Sequence, residues 1–91
     1  MTVDEPMDVA SGVTVRYYAG ARAAAGVAEE VVPAGLTLAD LIDQLSRRHG
    51  VRLARVLSVA SFLVDGLTCK DLQMRLTSGT TVDVLPPFAG G

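Results

Sequence analysis

Residues 36–50, LTLADLIDQLSRRHG, carry the clearest helical periodicity in the chain. Leu38, Leu41, Ile42 and Leu45 fall at i, i+3, i+4 and i+7, which gathers them into one apolar stripe. Thr37 stands at the N-cap position with Asp40 three residues on, the spacing of a capping box, and Leu36 and Leu41 occupy the two ends of a hydrophobic staple. Arg47, Arg48 and His49 fill the last turn, and Gly50 follows where a helix stop is expected. A helix with a single apolar stripe can cover one face of a sheet, so the fold depends on what strands the rest of the chain supplies.

Those strands read from period-two segments. In residues 13–18, VTVRYY, Val13, Val15 and Tyr17 alternate with Thr14, Arg16 and Tyr18, as in a half-buried strand. Residues 29–33, EEVVP, form a short second strand closed by Pro33. The connection, residues 19–28, is small and glycine-flanked; it reads as a loop with room for a helical turn, and lets the two strands pair as a hairpin. Residues 51–57, VRLARVL, suit a second short helical turn. The run SVASFLVDG, 58–66, is too apolar for a sheet edge and is placed centrally, with Asp65-Gly66 as its turn. Residues 67–76 are ambiguous between a short strand and a loop. Ser78-Gly79 marks a turn, after which Val82 and Val84 face inward and Thr81, Asp83 and Leu85 lie on the opposite face. The expected fold is α+β: a mixed sheet of four to five strands with one main helix packed on one face. Residues 1–12 read as a loose acidic extension, 13–85 as the domain and 86–91 as an extended tail.

Charge and composition remove several functions. A net charge of −2 over 91 residues argues against a general nucleic-acid binder. Arg47, Arg48, Arg52 and Arg55 cluster, but read first as complements to a helix dipole rather than as an anion or partner site. The lone Cys69 excludes an internal disulfide, a four-cysteine zinc site and an iron–sulfur cluster held by one chain, and reads as a small buried hydrophobe. The first residues lack a signal-peptide apolar core, and no apolar run approaches the ~20 residues of a membrane span. The expectation is a cytoplasmic protein with no membrane contact. No phosphate-binding glycine loop, nucleophile elbow or His-Glu-x-x-His motif is present. The acid pairs Asp4/Glu5 and Glu29/Glu30 are adjacent, so in extended chain they point to opposite faces and do not converge. Neither self-contained catalysis nor a bound metal or cofactor is expected.

The remaining candidate is PPFAGG, residues 86–91. Pro86 and Pro87 cannot continue a strand ladder, and they direct the chain away from the last strand. Six residues extend about 20 Å. Phe88 is a large apolar group on that extension, where a partner can take it up. Ala89, Gly90 and Gly91 have almost no cross-section and could thread a narrow channel, so that the terminal carboxylate reaches another protein's active site. Glycine leaves the reacting carbonyl uncrowded. The alternative is a frayed terminus of no consequence.

With these residues in view, the chain from about Val13 to Gly91 resembles the MoaD/ThiS family of ubiquitin-like β-grasp sulfur carriers, and most closely its MoaD branch, the small subunits of molybdopterin synthase. Three stretches carry the resemblance: VTVRYYAGARAAAG at 13–26, in which Arg22 fits the first-loop motif, TLADLIDQLSRRHG at 37–50, and SGTTVDVLPPFAGG at 78–91. Val64 stands where the family usually has asparagine before the turn, and Phe88 is bulkier than the usual aliphatic residue. The resemblance implies a ubiquitin-like β-grasp whose Gly91 carboxylate is adenylated by an E1-like adenylyltransferase of the MoeB/ThiF type. ATP is used by that partner, and no cofactor is bound by this chain. A sulfur donor protein then converts the acyl-adenylate to a thiocarboxylate. The charged carrier docks on a molybdopterin synthase large subunit of the MoaE type, as a sulfur-donating and itself non-catalytic small subunit. Gly91 is the implied carrier residue and Gly90 gives steric clearance, while Leu85, Pro86, Pro87, Phe88 and Ala89 are implied partner contacts. Arg16 and Tyr18 share that face if the outer strands lie side by side. A sulfur carrier for thiamine or cysteine synthesis, and a protein modifier joined to lysines, are the alternatives.

Overall fold

The computed structural model describes residues 12–87. Five strands form one sheet: β1 (Gly12–Tyr17), β2 (Glu29–Pro33), β3 (Ser61–Val64), β4 (Leu67–Thr68) and β5 (Thr81–Leu85), in the order β2-β1-β5-β3-β4. Only β1 and β5 run parallel; every other neighbouring pair is antiparallel. Three helices accompany the sheet: α1 (Gly20–Ala25), α2 (Leu38–His49) and α3 (Val51–Leu57). The hairpin of β1 and β2 and the main helix stand where the periodicity put them. The small-residue connection 19–28 holds a full short helix, as does 51–57.

Alternation decides the layers. Val13 and Val15 of β1 and Val82 and Val84 of β5 are completely buried, as are Leu38, Leu41 and Leu45 of α2 and Leu53 of α3. They meet in one core with Tyr17, Leu57, Phe62 and Leu76. Each such aliphatic side chain contributes about 1.5–3 kcal/mol through its removal from water.

The start of α2 satisfies its four otherwise orphaned N–H groups, which a buried helix end requires. The Thr37 hydroxyl accepts from the Asp40 N–H at 3.1 Å, and the Asp40 carboxylate accepts from the Thr37 N–H at 3.3 Å. The Thr37 carbonyl accepts from Leu41. The other two donors, at Leu38 and Ala39, reach the carbonyls of Met74 and Leu72, each at 2.9 Å. The ambiguous stretch 67–76 is therefore a two-residue strand followed by a strap whose backbone caps the main helix.

The apolar run 58–66 contributes only Ser61–Val64 as strand, because Ser58 and Val59 still bond back into the end of α3. Asp65 and Gly66 form the turn to β4, with φ of 49° and 87°. Both values are positive, as a two-residue hairpin turn of the primed type demands. The turn is tied to β5, since Asp65 Oδ1 accepts from the Thr81 N–H at 2.9 Å.

Glu30 joins the sheet to the helical layer. Its carboxylate accepts from the Tyr17 hydroxyl at 2.5 Å and from Arg48 at 2.7 Å, and lies 2.5 Å from His49 Nε2. Arg48 and His49, expected as dipole complements, thus converge on a specific carboxylate. Burial opposes ionisation of Glu30, but hydrogen bonds from Tyr17, Arg48 and His49 outweigh it and hold the carboxyl below its ordinary 4.5. Burial, then the bond to Glu30, pushes the Tyr17 phenol up. Glu30→Ala leaves the buried Tyr17 hydroxyl without its acceptor and costs roughly 2–4 kcal/mol at pH 7, measured by urea denaturation. Since the folded value lies below the unfolded one, this stabilisation is complete above about pH 4.5 and fades as pH falls through the folded value. An unchanged urea midpoint in Glu30→Ala would overturn this role.

Candidate functional site

The site grows out of the end of β5. Leu85 is half-buried, Pro86 buried and Pro87 exposed. Leu85 lies opposite Ser61 of β3, and on the other side the Tyr18 N–H donates to the Val84 carbonyl at 3.3 Å. The chain therefore leaves from the middle of the sheet with a strand on each side. Pro86 has no N–H with which to extend the ladder. The sequence-derived candidates Phe88, Ala89, Gly90 and Gly91 lie outside the described residues.

On the sheet face away from the core, β1 and β5 bring charged and aromatic groups together. Arg16 and Asp83 are direct Cα partners in the parallel register. Arg16 Nε donates to Asp83 Oδ1 at 2.7 Å, its terminal nitrogen reaches Oδ2 at 3.3 Å, and the Tyr18 hydroxyl donates to Oδ1 at 3.4 Å. The hydrogen bond and the charge of Asp83 raise the Arg16 guanidinium further above its ordinary value. Arg16, Tyr18, Asp83 and Leu85 thus share one face, as expected if these strands were neighbours.

Asp83 was missed by the sequence reading. Alternation placed it outward, yet it is 7% exposed. The available signal was the opposite charge of Arg16 at an outward position on a strand expected alongside. Its meaning depends on the β1–β5 register, which no local pattern reveals. Cys69 also differs from expectation: it is only partly buried, and its thiol donates to the Asp71 carbonyl at 3.6 Å. It packs against the core's rim because β4 ends at Thr68, so the thiol sits beyond the sheet. Of the arginine cluster, Arg47 pairs with Asp43 one turn earlier at 3.1 Å, while Arg52 and Arg55 stand exposed on α3. Among the described residues, no group of three or more His, Cys, Asp or Glu is placed to hold a metal ion, and no helix is long and apolar enough to cross a membrane.

A mixed sheet ordered β2-β1-β5-β3-β4, crossed by one main helix and releasing its last strand from the centre, defines a ubiquitin-like β-grasp. The ThiS family model matches residues 15–91, and the chain belongs to this family of ubiquitin-like sulfur carriers. Among curated protein sequences none matches it significantly. Solved structures do. A candidate molybdopterin converting factor, subunit 1, from Pyrococcus furiosus is 28% identical with a TM-score of 0.69, covering 84% of this chain and 97% of that one. The complex of subunits 1 and 2 of the molybdopterin-converting factor from Helicobacter pylori matches at 22% identity and TM-score 0.68, covering 88% and 99%. Small archaeal modifier protein 1 from Methanosarcina acetivorans matches at 22% identity and TM-score 0.74, covering 89% and 97%.

The buried Asp83 carboxylate needs its cation. Arg16→Ala is expected to lower the thermal midpoint more than Arg47→Ala, whose ion pair is exposed at both ends. Replacing both partners, Arg16→Met with Asp83→Leu, should recover most of the loss. Equal midpoints for the two single variants would show that the pair does not hold the strands.

Proposed function

We propose that this chain is the sulfur-donating small subunit of a molybdopterin synthase. The observation that carries the reading is the 28% identity, over 84% of this chain and 97% of that one, to the Pyrococcus furiosus subunit 1. The sheet supplies a fixed exit at Leu85 and Pro86, and the residues that follow, Pro87 to Gly91, carry the chemistry. The Gly91 carboxylate attacks the α-phosphate of ATP in an E1-like adenylyltransferase of the MoeB/ThiF type, and pyrophosphate leaves. Sulfide supplied by a donor protein attacks the acyl carbon, and AMP leaves with its bonding electrons. The thiocarboxylate then docks, through Leu85, Pro86, Pro87, Phe88 and Ala89, on a large subunit of the MoaE type and gives its sulfur to a pterin precursor. Gly90 leaves the reacting carbonyl uncrowded. In this reading the activating and transfer chemistry belongs to the partners, and the chain works in their compartment, the cytoplasm.

The likeness to small archaeal modifier protein 1 supports a second reading, in which Gly91 forms an isopeptide bond with lysines. The acceptor separates the two.

Intact mass after incubation with ATP, the adenylyltransferase and a sulfide source is expected to rise by the exchange of one oxygen for sulfur. Deleting Gly91 should abolish the gain and leave the thermal midpoint nearly unchanged, because a glycine has no side chain to bury. Lysine conjugates in place of the sulfur gain would favour the modifier. A second variant tests docking. Leu85→Asp on the outer face should weaken binding of the large subunit at least about tenfold, the equivalent of about 1.4 kcal/mol, and retain the fold. Unchanged affinity would remove Leu85 from the interface.

A further inference from the structure

Arg16, Arg47 and Arg48 are held in ion pairs, and Arg75 donates to the Gly35 carbonyl at 2.6 Å. The side chains of Arg52 and Arg55, both exposed on α3, have no ion pair or hydrogen bond among the described residues. The helix, VRLARVL, has no acid of its own. Successive helical residues are turned by about 100°. Val51, Arg52 and Arg55 therefore share one arc, opposite the buried Leu53 and Leu57. Val59 continues the arc, since its N–H still bonds to the Val56 carbonyl. Val51 is 63% and Val59 60% exposed, and among the described large apolar residues only Leu67 is more so.

Helix stability accounts for Arg55, which stands in the last turn where the dipole favours a cation. It does not account for Arg52, which stands in the first turn, where an acid would be the stabilising choice. An exposed cation kept at an electrostatic disadvantage, beside two exposed valines, suits an acidic and partly apolar partner surface.

The position of this face narrows the partner. α3 packs on α1 and α2, so its exposed side looks away from the sheet, whose far face carries Arg16, Tyr18 and Leu85. Ser58, Val59 and Ala60 alone separate α3 from Ser61, the register partner of Leu85. The end of α3 thus comes to the end of the sheet from which the chain leaves. In the carrier reading, on which this inference rests, the tail is an acyl-adenylate when it takes up sulfur. Such an anhydride is lost to water if released, so sulfur must arrive while the activating enzyme still holds the tail. The donor then needs a surface that an enzyme seated beside Leu85 leaves uncovered. We infer that Val51, Arg52, Arg55 and Val59 are that surface and dock an acidic patch of the sulfur donor protein, with donor and enzyme bound at once on opposite sides of the sheet.

The probe is a cysteine desulfurase, a class of enzyme that carries sulfur as a cysteine persulfide, and its affinity for the full chain is measured by titration calorimetry. Arg52→Glu with Arg55→Glu should bind it at least about tenfold more weakly than wild type. Wild-type binding should weaken between about 50 and about 300 mM salt, and more steeply than that of the double variant. The adenylyltransferase should bind both chains alike, and loading from free sulfide should be equal in both. Arg52→Glu alone should weaken donor binding yet hold or raise the thermal midpoint, because an acid suits the first turn. A misfolded variant would lower it. No donor binding by wild type, equal donor affinities, or an equal loss of adenylyltransferase binding would overturn the inference. So would sedimentation of wild type, but not of the double variant, as a dimer, which would assign the face to a second copy. Those results leave loading from sulfide, and with it the carrier reading, untouched. Failure of wild type to gain sulfur from free sulfide, with arginine-dependent donor binding intact, would remove the carrier reading and leave the docking face in place.

Discussion

The parallel pairing of β1 with β5 is the contact through which the other parts of this protein acquire their positions. Antiparallel neighbours can be joined by a tight turn, whereas parallel neighbours need a crossover that leaves one end of the sheet and returns to the other. Here the crossover holds α1, β2, α2, α3, β3 and β4, so the whole helical layer is laid across one face before β5 enters. The sequential hairpins then take the outer positions, β2 beside β1 and β4 beside β3. β5 is left in the centre, with Val82 and Val84 completely buried and ladder partners on both sides. A strand held on two sides gives a fixed point of departure, and Leu85 and Pro86 are that point.

The same pairing explains what could be read in advance. The helix was legible because its stripe, its capping box and its glycine stop are local patterns, each repeated within a turn or two of its own chain. The alternation in β1 and β5 was legible for the same reason, and Asp65-Gly66 announced its hairpin through the positive φ that both residues accept. The strap at 72–76 was not. Its contribution is made by carbonyl groups of Leu72 and Met74, which every residue type possesses, so no side-chain pattern marks it. Glu30 and Asp83 failed to stand out for a related reason. Each is an acid at an unremarkable strand position until the fold brings Arg48 and His49 to one and Arg16 to the other.

The two carboxylates also divide the molecule's charged groups by task. Glu30 is turned to the helical layer, where it receives three donors from β1 and α2 and stitches the layers together. Asp83 is turned to the opposite face, beside Leu85, where a partner is proposed to lie. Both lie in surroundings that make an unpaired charge costly. For Glu30 the compensation fixes packing. For Asp83 it also keeps a polar, oriented group on a surface that would otherwise present Tyr18 and Leu85 to water.

An uncovered sheet face and two sheet edges are the places at which copies of such a chain could join. Open strand edges offer unpaired N–H and C=O groups to any other chain, and natural sheets blunt them with short strands, charge or proline. β4 is two residues long, and β2 ends at Pro33 and begins with the exposed Glu29. The first edge is blunted by its shortness and the second by charge and proline at its two ends. The uncovered face carries the Arg16–Asp83 pair across its two central strands, which interrupts any continuous apolar patch there. The pair leaves a cation and an aromatic hydroxyl on the face where a partner is proposed to lie. For a sulfur carrier of the proposed kind, the arrangement combines a buried core, blunted sheet edges and an oriented ion pair on the face beside its exit strand.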